Sequence, residues 1–372
     1  MIDTFAAVLR GTGELPRREP VSLADPGFGE VRLRMAAAGV CYSDVRIASG
    51  DVPIELPAVV GHEGAGVVEA VGPGVAHLKP GDHVIQFGRS SCGVCDRCRA
   101  QQSVYCRARS ELGQSGSADG TYRFTGESGP ISTASGLGTF AERTVCYASA
   151  CVKVPDDVDL TLACLLSCGA TTGLGAALRT ADVKPGENIV VFGVGGVGSG
   201  AIQGAVIGGA AHVIAVDTQP AKEEVARLSG ATAFVNPREH NVADAVRELT
   251  DGNGAAKVLL CQSAVDAAAI DDGLACLDLG GTLAIVGGLH DMDHIQLPPR
   301  EFHWDSKRLV TCFMGGMDPI NDIPMYVRLL RAGRLRLDHL VSKRYQLTAI
   351  GEAYQDLEAG KNVRGVVVFD HA

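Results

Sequence analysis

The chain has 372 residues, 46% of them apolar and 20% charged, with a net charge of −10. That length supports two domains with substantial cores, and the acidic balance excludes a nucleic-acid groove or an anionic membrane surface as the expected partner. No apolar run reaches the length of a membrane span, and residues 1–10 lack a basic start followed by an apolar core, so no secretory signal is read and the 12 cysteines are expected in a reducing, cytoplasmic compartment.

The first half reads as a mostly antiparallel β domain. Short β-like runs at 30–35 and 66–71 are divided by Gly/Pro turns at 71–74 and 79–82. Cys92, Cys95, Cys98 and Cys106 follow, with two, two and seven residues between them. Four thiolates so spaced can converge on one tetrahedral Zn²⁺ and leave no position open, which gives that zinc a structural role. Residues 110–138, rich in Gly, Ser and Thr, read as a long loop, with β-like segments resuming at Phe140.

Near Cys168 the texture changes to alternating strands and helices. The sequence predicts a strand at 188–192, a Gly-rich turn, and a small-residue helix to about Gly208. A strand at 212–217, a helix at 222–228, and strands at 256–260 and 281–286 follow. This rhythm predicts a doubly wound parallel sheet. After about Cys312 the chain returns to the first domain and ends in a strand-like run at 365–369. The expected fold class is α/β, with a catalytic domain at 1–169, a Rossmann domain at 170–312 and a returning segment at 313–372.

Gly193, Gly195, Gly196, Val197 and Gly198 lie between a predicted strand and a predicted helix, the context that a dinucleotide fingerprint requires. Gly193 permits the tight turn, Gly195 lets the backbone approach a pyrophosphate, and Gly198 allows close helix–strand packing. The helix start offers free N–H groups to phosphate. Asp217, at the end of the next strand, can hold both ribose hydroxyls and would repel a 2′-phosphate, which favours NAD over NADP. Lys222, five residues further on, is placed either to flank the adenosine or to stand as a solvated helix charge.

Three separate segments then offer zinc ligands: Cys41 in Gly39-Val40-Cys41-Tyr42-Ser43-Asp44, His62 in Gly61-His62-Glu63, and Cys168 in Ser167-Cys168-Gly169. Two thiolates and an imidazole are the ligands of a catalytic zinc that keeps one position open, although spacing alone cannot link the three. Their surroundings, with the cysteine lobe and the glycine turn in the same order, resemble the zinc-dependent alcohol dehydrogenases of the medium-chain dehydrogenase/reductase superfamily over essentially the whole chain. The resemblance implies a GroES-like catalytic domain joined to the Rossmann domain, NAD, and two zinc ions per subunit. It implies that Cys41, His62 and Cys168 bind the catalytic zinc, with Glu63 as an occasional fourth ligand. Asp44 is then the acceptor for the free ring N–H of His62. Arg364 matches an arginine that contacts the pyrophosphate, and Ser43 a hydroxyl that bonds the substrate oxygen and starts the proton exit.

Two departures stand out. Arg46 occupies the place of a histidine that ends the proton relay in many relatives, and a permanently charged guanidinium is a poor shuttle. Gly88, next to Phe87, occupies the place of an aromatic wall, so the pocket is expected to admit a bulky or aromatic primary alcohol. The expected activity is reversible hydride transfer between an alcohol and NAD, with a small-molecule alcohol or aldehyde as substrate and a homodimer suggested by the long loop after Cys106. The alternatives are a dehydrogenase of a thiol–formaldehyde adduct and a dinucleotide-binding protein without dehydrogenase activity.

Overall fold

The strand Glu30–Val40 organises the first unit of the computed structural model, in which residues 1–108, 120–289 and 292–370 are described. Its side chains are almost all buried or half-buried, as a central strand requires. It pairs antiparallel with Glu63–Val71 along one edge and with Arg143–Tyr147 and Arg364–Val368 along the other. The registers are functional as well as structural. Gly39 lies opposite Glu63 and Val40 opposite Gly365, so the strand end delivers Cys41 among residues from three other places in the sequence. His83–Gln86 and Cys151–Val154 extend the sheet on one side and Val341–Tyr345 on the other.

A closed barrel of five strands completes this unit: Ile2–Leu9, Arg17–Leu23, Phe124–Gly126, Gly129–Thr133 and Ala58–Val59. Two of those strands fall in the stretch 110–138 that was expected to be a long loop, which corrects that expectation. Phe124 pairs with Ile131, and both are buried in the core of the barrel. Strands of three and five residues, the longer one opening on Gly129-Pro130, are too short to show alternation in the sequence. Residues 109–119, on which the rest of that loop and its bearing on a dimer fell, lie outside the described residues.

The chain divides into two compact units, residues 1–168 with 318–372, and residues 169–317. The second unit carries six parallel strands in the order Ala233–Val235, His212–Val216, Asn188–Phe192, Ala255–Leu260, Leu277–Ile285, Arg308–Thr311. Counted along the chain that order is 3-2-1-4-5-6, the doubly wound arrangement, and it reverses between Asn188–Phe192 and Ala255–Leu260. Ligands of such sheets bind beyond the carboxyl ends of the strands at that reversal, where the glycine turn begins.

The helix Gly196–Ile207 packs on Gly169–Gly175 through backbone contact. A Cβ on Gly173 would lie 1.9 Å from the Val197 carbonyl oxygen, and one on Gly200 2.4 Å from that of Ala170. The short turn Met314–Gly316 packs beneath the same helix, since a Cβ on Gly175 would meet the Gly315 carbonyl at 2.4 Å. That contact keeps the chain in the second unit as far as Met317, past the return expected near Cys312. Among the described residues no single helix is long and apolar enough to cross a membrane.

Candidate active site

Cys41 is the N-cap of the helix Tyr42–Ser49, and Asp44 is its third helical residue. The Asp44 carboxylate reaches back to the Cys41 backbone N–H at 3.0 Å, a reciprocal cap that uses an acidic side chain where the helix dipole favours one. Its other oxygen lies 2.9 Å from His62 Nδ1. That contact takes one ring nitrogen and leaves Nε2 for a ligand. Asp44 is fully buried and His62 nearly so.

Cys41, His62, Glu63 and Cys168 each place one ligand atom within 4.8 Å of the others. The cluster is buried, apart from a half-buried Cys168. Its donors are two thiols, an imidazole and a carboxylate; the two thiols and the imidazole are the set that a zinc ion takes when one position stays open, and Glu63 stands within reach of that fourth position. Hydrogen bonding to Cys168 holds the Cys41 thiol well below its usual range, and the nearby Arg364 and His62 act in the same direction. Burial lifts the Glu63 carboxyl to about 7, against the pull of Arg364, whose Nη1 stands 3.4 Å from Glu63 Oε1.

Arg364, expected at a pyrophosphate, is only 4% exposed and also donates to the Val40 carbonyl at 3.2 Å. In this unit it faces the metal-type cluster. Ser43 is exposed, and its hydroxyl accepts from the Cys41 thiol at 3.8 Å. Arg46 Nε stands 4.0 Å from Asp51 Oδ2. Phe87 is fully buried and Gly88 half-buried.

Two contributors escaped the sequence reading. Ser167 donates to the backbone carbonyls of His62, at 3.2 Å, and Gln86, tying the residue before one ligand to the backbone of another. Gly39 makes room for a carboxylate: a Cβ there would lie 2.3 Å from Glu63 Oε2. A serine and a glycine are common loop and strand residues, and only the pairing of distant segments reveals these two.

The cysteine lobe forms a second cluster, with the four sulfurs of Cys92, Cys95, Cys98 and Cys106 within 4.8 Å of one another. Cys95 N-caps the helix Asp96–Arg99, and Arg107 grips Asp96 with two nitrogens at 2.6 and 2.8 Å. Backbone N–H groups of Arg107 and Cys98 bring the Cys95 thiol down to about 6. Burial and the neighbouring Cys95 push Cys98 up to about 12. Four sulfurs without a carboxylate or water position suit a closed tetrahedral zinc. None of the 12 cysteines is bridged.

In the second unit Gly193 adopts φ +85°, and a Cβ on Gly198 would lie 1.7 Å from the Gly193 carbonyl oxygen. Only glycine fits either position. Gly195, the N-cap of Gly196–Ile207, has nothing within 4 Å of its Cβ direction, and no side chain caps that helix. The result is an open cradle of N–H groups suited to an anion. Asp217 accepts the Val194 N–H at 2.8 Å and the Gln219 N–H at 2.9 Å, which fixes its carboxylate beside the turn. Lys222 is half-buried, and burial lowers its pKa while Asp217 opposes the shift.

Residues 27–156 match the alcohol dehydrogenase GroES-like domain family, and residues 196–332 match the zinc-binding dehydrogenase family. The chain is 39% identical to alcohol dehydrogenase B of Mycobacterium tuberculosis, over 94% of each chain. It is also 39% identical to the NDMA-dependent alcohol dehydrogenase of Amycolatopsis methanolica, over 98% of each. Among solved structures, an alcohol dehydrogenase zinc-binding domain protein from Burkholderia ambifaria superposes with a TM-score of 0.94 at 33% identity, covering 100% of both chains. Benzyl alcohol dehydrogenase from Acinetobacter calcoaceticus gives 0.92 at 29% identity, again over 100% of both. The chain belongs to the zinc-dependent alcohol dehydrogenases of the medium-chain dehydrogenase/reductase superfamily.

The Gly39 contact yields a prediction. Gly39→Ala is expected to displace the Glu63 carboxylate and to destabilise the protein by about 1–3 kcal/mol, the usual scale of overpacking. Urea denaturation of the variant beside the parent measures it, and an unchanged midpoint would refute the contact.

Proposed function

We propose that this protein is an NAD-dependent alcohol dehydrogenase with two zinc ions per subunit, acting on bulky, aromatic or branched primary alcohols. The carrying observation is the buried cluster of Cys41, His62, Glu63 and Cys168, in which the two cysteines and the histidine fit a zinc with an open position. Cys41, His62 and Cys168 are the ligands, with Glu63 within reach as a fourth. Cys92, Cys95, Cys98 and Cys106 hold the structural zinc. Gly193, Gly195, Gly196, Val197, Gly198, Asp217 and Lys222 form the dinucleotide site.

When bound, zinc supplies Lewis acidity to the alcohol oxygen and NAD supplies the hydride acceptor. Asp44 holds His62 with Nε2 turned toward the two thiols. Ser43 takes the proton of the substrate hydroxyl while its own hydroxyl proton passes to solvent, to which it is exposed. Arg46, always charged, takes no proton onward.

The benzyl alcohol dehydrogenase likeness supports the substrate class, as does a glycine at position 88 with Phe87 turned into the core. A homodimer is supported by the strand Arg308–Thr311. It pairs on one edge only among the described residues, and its Leu309 and Val310 stay half-buried. Unbridged cysteines beside one another support a reducing, cytoplasmic setting.

The test of the activity is an alcohol panel, with primary and secondary, aliphatic and aromatic members. Benzyl-type alcohols are expected to give the higher kcat/KM, and a clear preference for ethanol would refute the substrate class. Metal analysis of the purified protein is expected to find two zinc ions. Cys168→Ser should lose one zinc and all activity while keeping its fold. Cys95→Ser should instead lose stability, because binding a structural zinc contributes to folding. Coenzyme choice is the third readout. The parent is expected to prefer NAD, and Asp217→Ser should raise the relative kcat/KM for NADP by removing repulsion of the 2′-phosphate. A parent enzyme that favours NADP would contradict the role given to Asp217.

A further inference from the structure

The helix Ile350–Glu358, in the returning segment, packs against the helix Tyr42–Ser49 and the strand Glu30–Val40. Those two elements flank Cys41 and carry Asp44. From this helix Tyr354 enters the main core of the first unit, 2% exposed, beside Val40, Ile47 and Val60 in the same apolar cluster. Its ring stands edge-on to Phe140 at 6.3 Å between centroids. A phenylalanine would meet every apolar demand of this position. The hydroxyl is what needs an explanation.

Tyr354 Oη is buried and has no hydrogen-bond partner among the described residues. Leaving a buried hydroxyl unpaired costs about 1–3 kcal/mol, so native proteins seldom tolerate it. A complement sits on the helix Tyr42–Ser49, against which Ile350–Glu358 packs. Asp44, 0% exposed, uses one oxygen on His62 and the other on the Cys41 backbone N–H. An ionised carboxylate offers about four acceptor directions, so two remain for further donors. Burial first, and then the charges of Asp44 and Cys41, raise the Tyr354 pKa well above its usual value. The phenol therefore stays a neutral donor, and the charges that reach it are those of Asp44 and of one cluster member, Cys41.

We propose that Tyr354 is a positioning residue for the metal site: its hydroxyl donates, through one enclosed water, to the Asp44 carboxylate and so steadies the group that orients His62. A water is the ordinary link between a buried hydroxyl and a carboxylate beyond direct reach. The chain of contacts then runs from the returning segment to a ligand brought in by the first half of the sequence. It couples docking of the helix Ile350–Glu358 to the grip on the metal. The proposal rests on the reading of Cys41, His62 and Cys168 as zinc ligands.

The experiment compares the zinc-loaded full chain with Tyr354→Phe and Asp44→Asn, following zinc release to a chromogenic chelator and the visible spectrum after cobalt substitution. Tyr354→Phe is expected to release one of its two zinc ions about tenfold faster, the low end of the loss seen for outer partners of metal ligands. The other zinc should leave at the parent rate, and the cobalt bands of the faster site should shift. Asp44→Asn should accelerate the same zinc by more. Thermal denaturation serves as the control for folding, because the aromatic packing is preserved. Faster release from Asp44→Asn together with parental release and an unshifted spectrum for Tyr354→Phe would overturn the proposal and leave the zinc reading intact. A parent with no zinc outside the four-cysteine lobe would overturn that reading, and the proposal with it.

Discussion

The contact between Asp44 and His62 is the constraint on which the first unit's chemistry depends. A carboxylate with no exposure at all persists only if its charge is met by donors, and Asp44 meets it with an imidazole and a backbone N–H. Those donors come from the end of one strand and the start of its neighbour. The same side chain caps the helix Tyr42–Ser49, and so sets the angle at which the chain leaves Cys41. Local folding and ligand orientation are therefore one problem, solved by one residue. An asparagine could keep the cap, but it could not supply the charge that favours an N–H on the facing ring nitrogen.

Charge balance explains the rest of the cluster. Thiols gathered with a carboxylate in a buried space would repel one another as they ionise, and desolvation would add to the cost. Arg364 answers both effects from 4% exposure, between Glu63 and the Val40 carbonyl. Its strand lies beside Glu30–Val40 because Gly365 pairs with Val40, so the balancing charge is delivered by sheet register. Gly39 completes the arrangement by lacking the atom that would occupy the Glu63 carboxylate's space. These three positions lie far apart in the sequence and meet across two strand pairings.

That separation marks the limit of what could be read from sequence. In the second unit the strand Asn188–Phe192 and the helix Lys222–Leu228 have the bounds expected of them, because apolar runs there are closed off by turn residues. The glycine turn was legible because its steric logic is local: Gly198 must approach Gly193, five residues away. The strands Phe124–Gly126 and Gly129–Thr133 were hidden by their brevity. Cys41, His62 and Cys168 were legible only through family resemblance, since no spacing rule joins three segments of a chain. Gly39, Ser167 and Tyr354 gave no signal, because a glycine in a strand, a serine beside a cysteine and an aromatic in a helix each have an ordinary reading.

The proton path shows how local structure narrows a mechanism. The family resemblance implies a histidine at position 46, whose ring could carry a proton onward. Here the side chain at that place is a guanidinium 4.0 Å from Asp51, and it cannot change charge at any working pH. Ser43, however, is itself exposed in its unit. Under the proposed reaction an exposed hydroxyl can pass its proton directly to water, and a relay through a second residue becomes unnecessary.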